Sequence, residues 1–252
     1  MSLFHDLYHI GSKTKNLILG YMYYYRDRKT YCRQFHKNEE LFKRRKKNDY
    51  PILTDRFGDA GTIDSHYFLQ DIYMSRLVIM SKATMHYDIG SRVEGFVSHL
   101  LAAGVNVTMI DIRPFPIDMD NLHFSMGNAM DLVSIPSNSI LSLSCLHALE
   151  HFGLGRYGDP VDKDGWLKAL HEYVRVLAKG GILYLSVPIG PEDKVMFNAH
   201  RIFRPMTIVH AAEGLVLQKF SYIKEYKIRS IDIAQYNDKD DYLCGLFIFE
   251  KE

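Results

Sequence analysis

The 252-residue sequence predicts an α/β protein, a doubly wound, seven-stranded, mostly parallel sheet of Rossmann-like kind preceded by a helical amino-terminal extension. Three observations predict it. From residue 83 onward, short runs rich in β-branched and aromatic residues alternate with runs of helical periodicity, which is the signature of parallel βαβ units. The last two β-rich runs have no helical pattern between them, which suits an antiparallel hairpin closing the sheet. Finally, "ATMHYDIGSRVEGF" (83–96) passes from strand through a tight turn into a helix, the local plan of a nucleotide-binding turn.

The elements follow in order. Residues 1–54 read as a basic helical extension and 55–252 as the sheet domain, with "DRFGDAGTIDSHYFLQD" (55–71) as the junction. Within the extension, residues 13–47 hold twelve Lys or Arg against three Asp or Glu, a net of +9 that leaves −8 for the rest of a chain whose total is +1. Such a segment, interleaved with tyrosines, is either a solvated arm or a surface for an anionic partner. Strands are expected at 83–89, 105–111, 122–127, 139–146, 181–188, 215–223 and 243–250. "RVEGFVSHLLAA" and "DGWLKALHEYVRVLAKGG" carry apolar residues at helical spacing, with Asp164 as N-cap and Gly180 as C-cap of the second. "RPMTIVHAAEG" is a further helix, and "KEYKIRSIDIAQYNDKDDY" a long excursion within the closing hairpin.

Composition narrows the class. At 47% hydrophobic and 24% charged, the chain buries a substantial core and is not disordered. Cys32, Cys145 and Cys244 are too few and too scattered for a disulfide framework or a zinc ribbon. No apolar run reaches membrane-spanning length, and the amino terminus lacks the basic-then-apolar order of a signal peptide, so a cytoplasmic protein is expected.

Against G-x-G-x-x-G, the loop after the first strand supplies Gly90 and Gly95 but places Arg92 at the middle glycine. A side chain there obstructs a pyrophosphate, so NAD and FAD are disfavoured and a nucleoside without phosphates is favoured. Asp111 ends the second strand where an acidic residue accepts hydrogen bonds from ribose hydroxyls, and Asn128 with Asp131 follows the third, able to face an adenine edge.

With these residues on the page, the stretch from about 83 to 190 resembles the class I S-adenosylmethionine-dependent methyltransferases. The carriers are "DIGS", "IDIR", "GNAMDL", "SLSCLHALEH" and "VRVLAKGGILYLSVP", in that family's order and spacing. More narrowly, "DIGSR", "HALEHFGLGRYGDPVDKDGW" and "FNAHRIF" are similar to a little-studied branch found with bacterial surface-glycan and capsule genes, over about residues 55–225. The resemblance implies S-adenosyl-L-methionine as cofactor and S-adenosyl-L-homocysteine as product. Carried over, it gives Asp88, Gly90 and Ser91 to the methionine portion, Asp111 and Ile112 to the ribose, and Asn128 and Ala129 to the adenine. Ser144, Cys145 and Leu146 become the floor beneath the sulfonium. It also implies that the helix within "DSHYFLQDIY" covers the cofactor, so that Tyr67, Gln70 and Asp71 close the pocket.

Methyl transfer is an in-line displacement helped by alignment and, where the acceptor carries a proton, by a base. His147, Glu150 and His151 are the candidates, since in a helix His147 and His151 at i and i+4 share a face while Glu150 orients one of them. The same five residues match the H-x-x-E-H zinc pattern, but that motif needs a long helix flanked by further ligands, and no metal is expected. The glycine-bearing loop "FGLGRYGDPVDKDGW" supplies Arg156, Tyr157 and Asp159, and "FNAHR" supplies Asn198, His200 and Arg201, as acceptor-binding residues together with Tyr67. Two arginines facing one cleft suggest an anionic acceptor. The expected activity is transfer of a methyl group to an oxygen or nitrogen of a small anionic or sugar-derived acceptor, and the resemblance implies a place in capsule construction. Two alternatives stand beside it: an RNA methyltransferase that uses the basic arm, and a non-catalytic partner that keeps the adenosyl pocket.

Overall fold

A computed structural model describes residues 2–34, 44–58, 65–116 and 119–252, with side chains from residue 13. The parts of the basic arm at 35–43 and of the junction at 59–64 lie outside the described residues. The chain divides into two compact units, Met1–Thr62 and Ile63–Glu252, so the boundary falls eight residues beyond the one expected after residue 54.

The first unit is built on α1 (Ser2–Arg33). Gly20 is buried in it because a Cβ there would stand 2.0 Å from the carbonyl oxygen of Leu53, so the returning chain lies directly on the helix. Several of its arginines have partners within the unit. Arg28 lies 4.5 Å over the ring of Tyr25 and Arg56 lies 4.2 Å over Tyr23, while Asp27 and Asp49 take Arg56 and Arg44 in ion pairs.

The second unit holds α2 (Tyr67–Met80), β1 (Met85–Ile89), α3 (Ser98–Ala102), β2 (Asn106–Asp111), β3 (Leu122–Met126), β4 (Ile140–Leu146) and α4 (Gly165–Val176). Then come β5 (Leu177–Ile189), β6 (Lys194–Met196), β7 (His200–Ile202), α5 (Pro205–Ala211), β8 (Leu215–Lys224), β9 (Lys227–Ser230) and β10 (Leu243–Lys251). The main sheet runs β3-β2-β1-β4-β5-β10-β8-β9, with the first five strands parallel and β10 antiparallel to both neighbours. It therefore has eight strands rather than seven. The additional one, β9, lies inside the excursion read as loop, where Lys227–Ser230 fold back on Ser221–Lys224 as a hairpin. β6 and β7 form a separate two-stranded hairpin.

The pleat of β1 sends alternate residues to opposite faces. Ile89 joins a core with Leu170, Tyr173 and Val176 of α4 and Ile208 of α5, whereas His86 meets Phe96 on the face covered by Met74 and Val78 of α2 and Leu100 of α3. Helices thus cover both faces, but the links β2–β3 and β3–β4 contain no helix among the described residues.

Two local expectations are corrected. The helix after the glycine turn starts with one π-helical turn, Val93–Val97, before α3, and the Asp71 carboxylate occupies the space beside Gly95 within it. α4 ends at Val176 and its N-cap residue Asp164 makes no side-chain cap bond; Gly180 does not cap it but sits at φ 74° within β5.

Candidate active site

Parallel strands place their carboxyl ends, and the loops that follow, on one edge of the sheet. There β1 ends at Ile89 and the chain turns at Gly90, whose φ of 67° lies in the left-handed region that favours glycine. A Cβ at Gly90 would stand 3.0 Å from that of Ala148, so the turns after β1 and β4 touch. The turn is fastened from beneath by Asp88. Its Oδ1 accepts the hydroxyls of Ser91 at 2.6 Å and Ser144 at 2.5 Å, and its Oδ2 accepts the Ser91 backbone N–H. Behind Ser144, the His86 ring bridges Ser144 and Ser142 at 2.8 and 2.7 Å. Since Ser144 donates to Asp88, it accepts from His86 Nε2–H, and Nδ1 accepts from Ser142. Burial pushes Asp88 up to about 6, against the pull of the Ser144 and Ser91 bonds, and pushes His86 down to about 3.

Two adjoining cavities open above this turn. The first is a small cavity between Gly90, Asp111, Ile112, Asn128, Ala129 and Phe152. The second, a more open cleft, lies among Tyr67, Ser91, Arg92, Leu146, Glu150, Arg156, His200 and Tyr242. Gly90, Arg113, His147, His151 and Tyr157 line both.

Several expected ligands are scaffolding instead. Asp88 and Ser144 are fully buried and bonded to one another, and Cys145 is a core thiol that takes the Tyr173 hydroxyl at 3.4 Å; none of the three lines a cavity. Leu146 does line the second. Arg201 is buried and donates to the carbonyls of Phe152 at 2.7 Å, Lys163 at 3.2 Å and Glu150 at 3.4 Å, so it clamps the loop rather than a ligand. Asp159 borders the first cavity, but its carboxylate is taken by the backbone N–H groups of Gly153, Gly155 and Tyr157. Asn198 is exposed and lines neither cavity. Gln70 and Asp71 are buried, Gln70 accepting from Ser186 at 2.7 Å, which leaves Tyr67 alone of that trio at the cleft.

The remaining residues converge. Asp111 accepts Arg113 on both oxygens, at 3.0 and 2.7 Å, which outweighs its partial burial and holds its carboxyl below the usual range. Asn128 spends its amide oxygen on the Met130 N–H at 3.0 Å, so its amide nitrogen is the group left for a base edge. His147 and His151 do not share a helix. His147 sits at φ 50° and a single 3-10 turn, Leu149–His151, follows, which brings both rings to Glu150 Oε1, at 2.9 Å for His147 Nδ1 and 3.6 Å for His151 Nε2. The Glu150 carboxylate fixes the proton of His147 on Nδ1, and the Ala199 carbonyl, 2.7 Å from His151 Nδ1, does the same for His151. The Nε2 lone pair of His151 is thereby left free. Burial lowers the His151 pKa despite Glu150, so the ring is neutral and able to accept a proton. Burial alone would raise Glu150, but its histidine neighbours hold it below the ordinary carboxylate range.

Arg92 and Arg113, which the sequence did not mark as acceptor-binding, join the expected Arg156 around the second cavity. Arg92 lies 5.1 Å over Tyr67, and Arg113 and Arg156 flank the Tyr157 ring at 4.5 and 5.1 Å. His66 and Tyr242 also reach the site, their rings 6.2 Å apart. Arg92 and Arg113 sit inside the quoted "DIGSR" and "IDIR", so their position was visible and only their direction was not. Nothing in the pattern around His66 or Tyr242 marks them.

This architecture is that of the class I methyltransferases. Among solved structures, the N-methyltransferase NodS from Bradyrhizobium japonicum, in complex with S-adenosylhomocysteine, is similar at a TM-score of 0.52 and 15% identity, covering 73% of this chain and 86% of that one. The 1,6-didemethyltoxoflavin-N1-methyltransferase of Burkholderia thailandensis is similar at 0.51 and 13% identity, over 73% and 79%. The [4+2]-cyclase SpnF is similar at 0.53 and 14% identity, over 72% and 81%, so the fold by itself does not fix the reaction. A family described as "Caenorhabditis protein of unknown function, DUF268" matches residues 137–242, a span that includes His147, Glu150, His151 and Arg156 but not the glycine turn. Among curated proteins, none matches this sequence.

Proposed function

We propose that the chain is an S-adenosylmethionine-dependent methyltransferase that methylates an oxygen or nitrogen of a small anionic acceptor, of the sugar-derived kind that the surface-glycan resemblance implies. The observation that carries this reading is the pairing of a cavity lined by Gly90, Asp111 and Asn128 with a cleft ringed by Arg92, Arg113 and Arg156, the two sharing His147 and His151. The first cavity suits an uncharged nucleoside better than a dinucleotide, because its acidic residues are Asp111 and Asp159 and its one arginine is already held by Asp111. Asp111 would take the ribose hydroxyls, Ile112 and Ala129 the faces of the adenine, and the Gly90 turn the methionine end. Bound there, the cofactor supplies a sulfonium methyl group.

The residues of the chain then orient and deprotonate. Arg92 and Arg156 hold the acceptor's anionic group, with Tyr67, Tyr157 and His200 packing its body. On methylation the acceptor's proton would pass to Nε2 of His151, where Glu150 at 3.6 Å would stabilise the imidazolium. S-adenosylhomocysteine is released. The free thiols Cys32, Cys145 and Cys244 fit a cytoplasmic setting. The RNA reading gains little, since Arg28, Arg44 and Arg56 of the first unit already have tyrosine or carboxylate partners.

Incubating the full chain with S-adenosylmethionine and a panel of uronic acids and nucleotide sugars, with products read by mass spectrometry, tests the proposal. A product heavier by one methylene is expected, and His151→Ala should lower turnover about 10²- to 10⁴-fold. Full turnover in that variant would exclude His151 as the base.

A further inference from the structure

We propose that His66, His147 and Cys244 form a binding site for one divalent transition-metal ion of the zinc class. One ligand atom from each residue lies within 4.8 Å of the other two, and the three come from the segment before α2, the turn after β4 and the start of β10. A modest inward movement of each brings them to bonds of about 2.0–2.1 Å to nitrogen and about 2.3 Å to sulfur.

An independent observation points to an ion rather than to packing. Nε2 of His66 and Nε2 of His147 are both buried without a hydrogen-bond partner, and a lone pair left so is costly. Their rings stand 4.5 Å apart. His147 is further arranged as a ligand: Nδ1–H donates to the buried Glu150 at 2.9 Å, so Nε2 carries the lone pair, and a carboxylate behind the far nitrogen is the usual support of a metal-bound imidazole. Its backbone is held at φ 50°, a strained conformation for a non-glycine residue and one that accumulates at functional sites. Cys244 is a buried free thiol that makes a weak S–H contact of 3.5 Å to Gln70 Oε1. Binding would replace that contact and release one thiol proton per ion to solvent.

Two imidazoles and a thiolate select zinc, cobalt, nickel or copper over magnesium or calcium. Three protein ligands leave one tetrahedral position for a water molecule. The site is distinct from the H-x-x-E-H pattern, of which only His147 takes part: His151 gives Nδ1–H to Ala199 instead. The inference stands apart from methyl transfer, because its test uses no adenosyl compound.

The full chain, stripped with a chelator and dialysed, is titrated with Zn²⁺ against a chromophoric competitor and, separately, with Co²⁺. One equivalent per chain is expected, with a thiolate-to-cobalt charge-transfer band that persists in Cys32→Ser and vanishes in Cys244→Ser. Glu150→Gln should weaken binding by about 10- to 100-fold. Circular dichroism checks that each variant folds, and if Cys244→Ser does not, the half-buried His66→Ala is read in its place and should lose the stoichiometric ion. Uptake of less than one equivalent by the wild type, a band retained in folded Cys244→Ser, or wild-type affinity in His66→Ala would each overturn the site.

Discussion

Asp88 and His86 are joined through the Ser144 hydroxyl, yet burial acts on them in opposite senses for stability. His86 titrates at about 3 in the fold against 6.5 ordinarily, so between those values the unfolded chain takes a proton that the folded one refuses, and its contribution is lost on acidification. Asp88 titrates at about 6 against 3.8, so the fold retains a proton that the unfolded chain has shed, and its contribution, full below 3.8, is lost as the pH rises through 6. Between about pH 4 and 6 the two partly cancel. Thermal melts across this window should therefore show Asp88→Asn falling more steeply than the wild type on acidification, and His86→Gln more shallowly; parallel curves for all three would remove these two groups from the account. Motif spacing located Asp88 but not its orientation, because the residue type is the same whether a carboxylate faces a ligand or ties a turn. The same ambiguity covered Arg201 and Asp159, whose partners are backbone groups that no pattern of side chains reveals.

At the scale of elements, strand positions were legible because branched and aromatic runs alternate with helical ones, and β1, β2, β4 and β5 fall within a few residues of expectation. What escaped were the places where one close contact overrides local preference. "HALEH" reads as a helix by spacing, but the left-handed backbone of His147 forces a single 3-10 turn. The π-turn at Val93–Val97 likewise packs its Gly95 against Asp71, a residue from another helix. A Cβ on Gly95 would meet Asp71 Oδ2 at 1.9 Å, so Gly95→Ala must displace a buried carboxylate. It should cost about 1–3 kcal/mol in chemical denaturation, the range for overpacking a tight contact. A loss below about 0.5 kcal/mol, typical of an unconstrained surface site, would mean that the contact is not tight.

For the whole molecule, the chain divides after Thr62 into a basic unit, in which Arg26, Arg28, Arg44 and Arg56 have partners, and a unit with a core on each face of its sheet. No helix among the described residues is long and apolar enough to cross a membrane. Every residue of the two cavities lies beyond Ile63. A chain beginning at Ile63 should therefore unfold cooperatively and bind S-adenosylhomocysteine within about threefold of the full chain, as followed by denaturant titration and dialysis; a tenfold loss, about 1.4 kcal/mol, would show that the first unit contributes to the pocket. The central claim is that the cavity at Gly90 and Asp111 takes an adenosyl thioether. Isothermal titration of the intact protein addresses it most directly: S-adenosylhomocysteine should bind at one site, about 10- to 100-fold more weakly in Asp111→Ala where charged hydrogen bonds to the ribose are lost, and NAD should give no heat. Binding of NAD with no uptake of S-adenosylhomocysteine, or an affinity indifferent to Asp111, would contradict it.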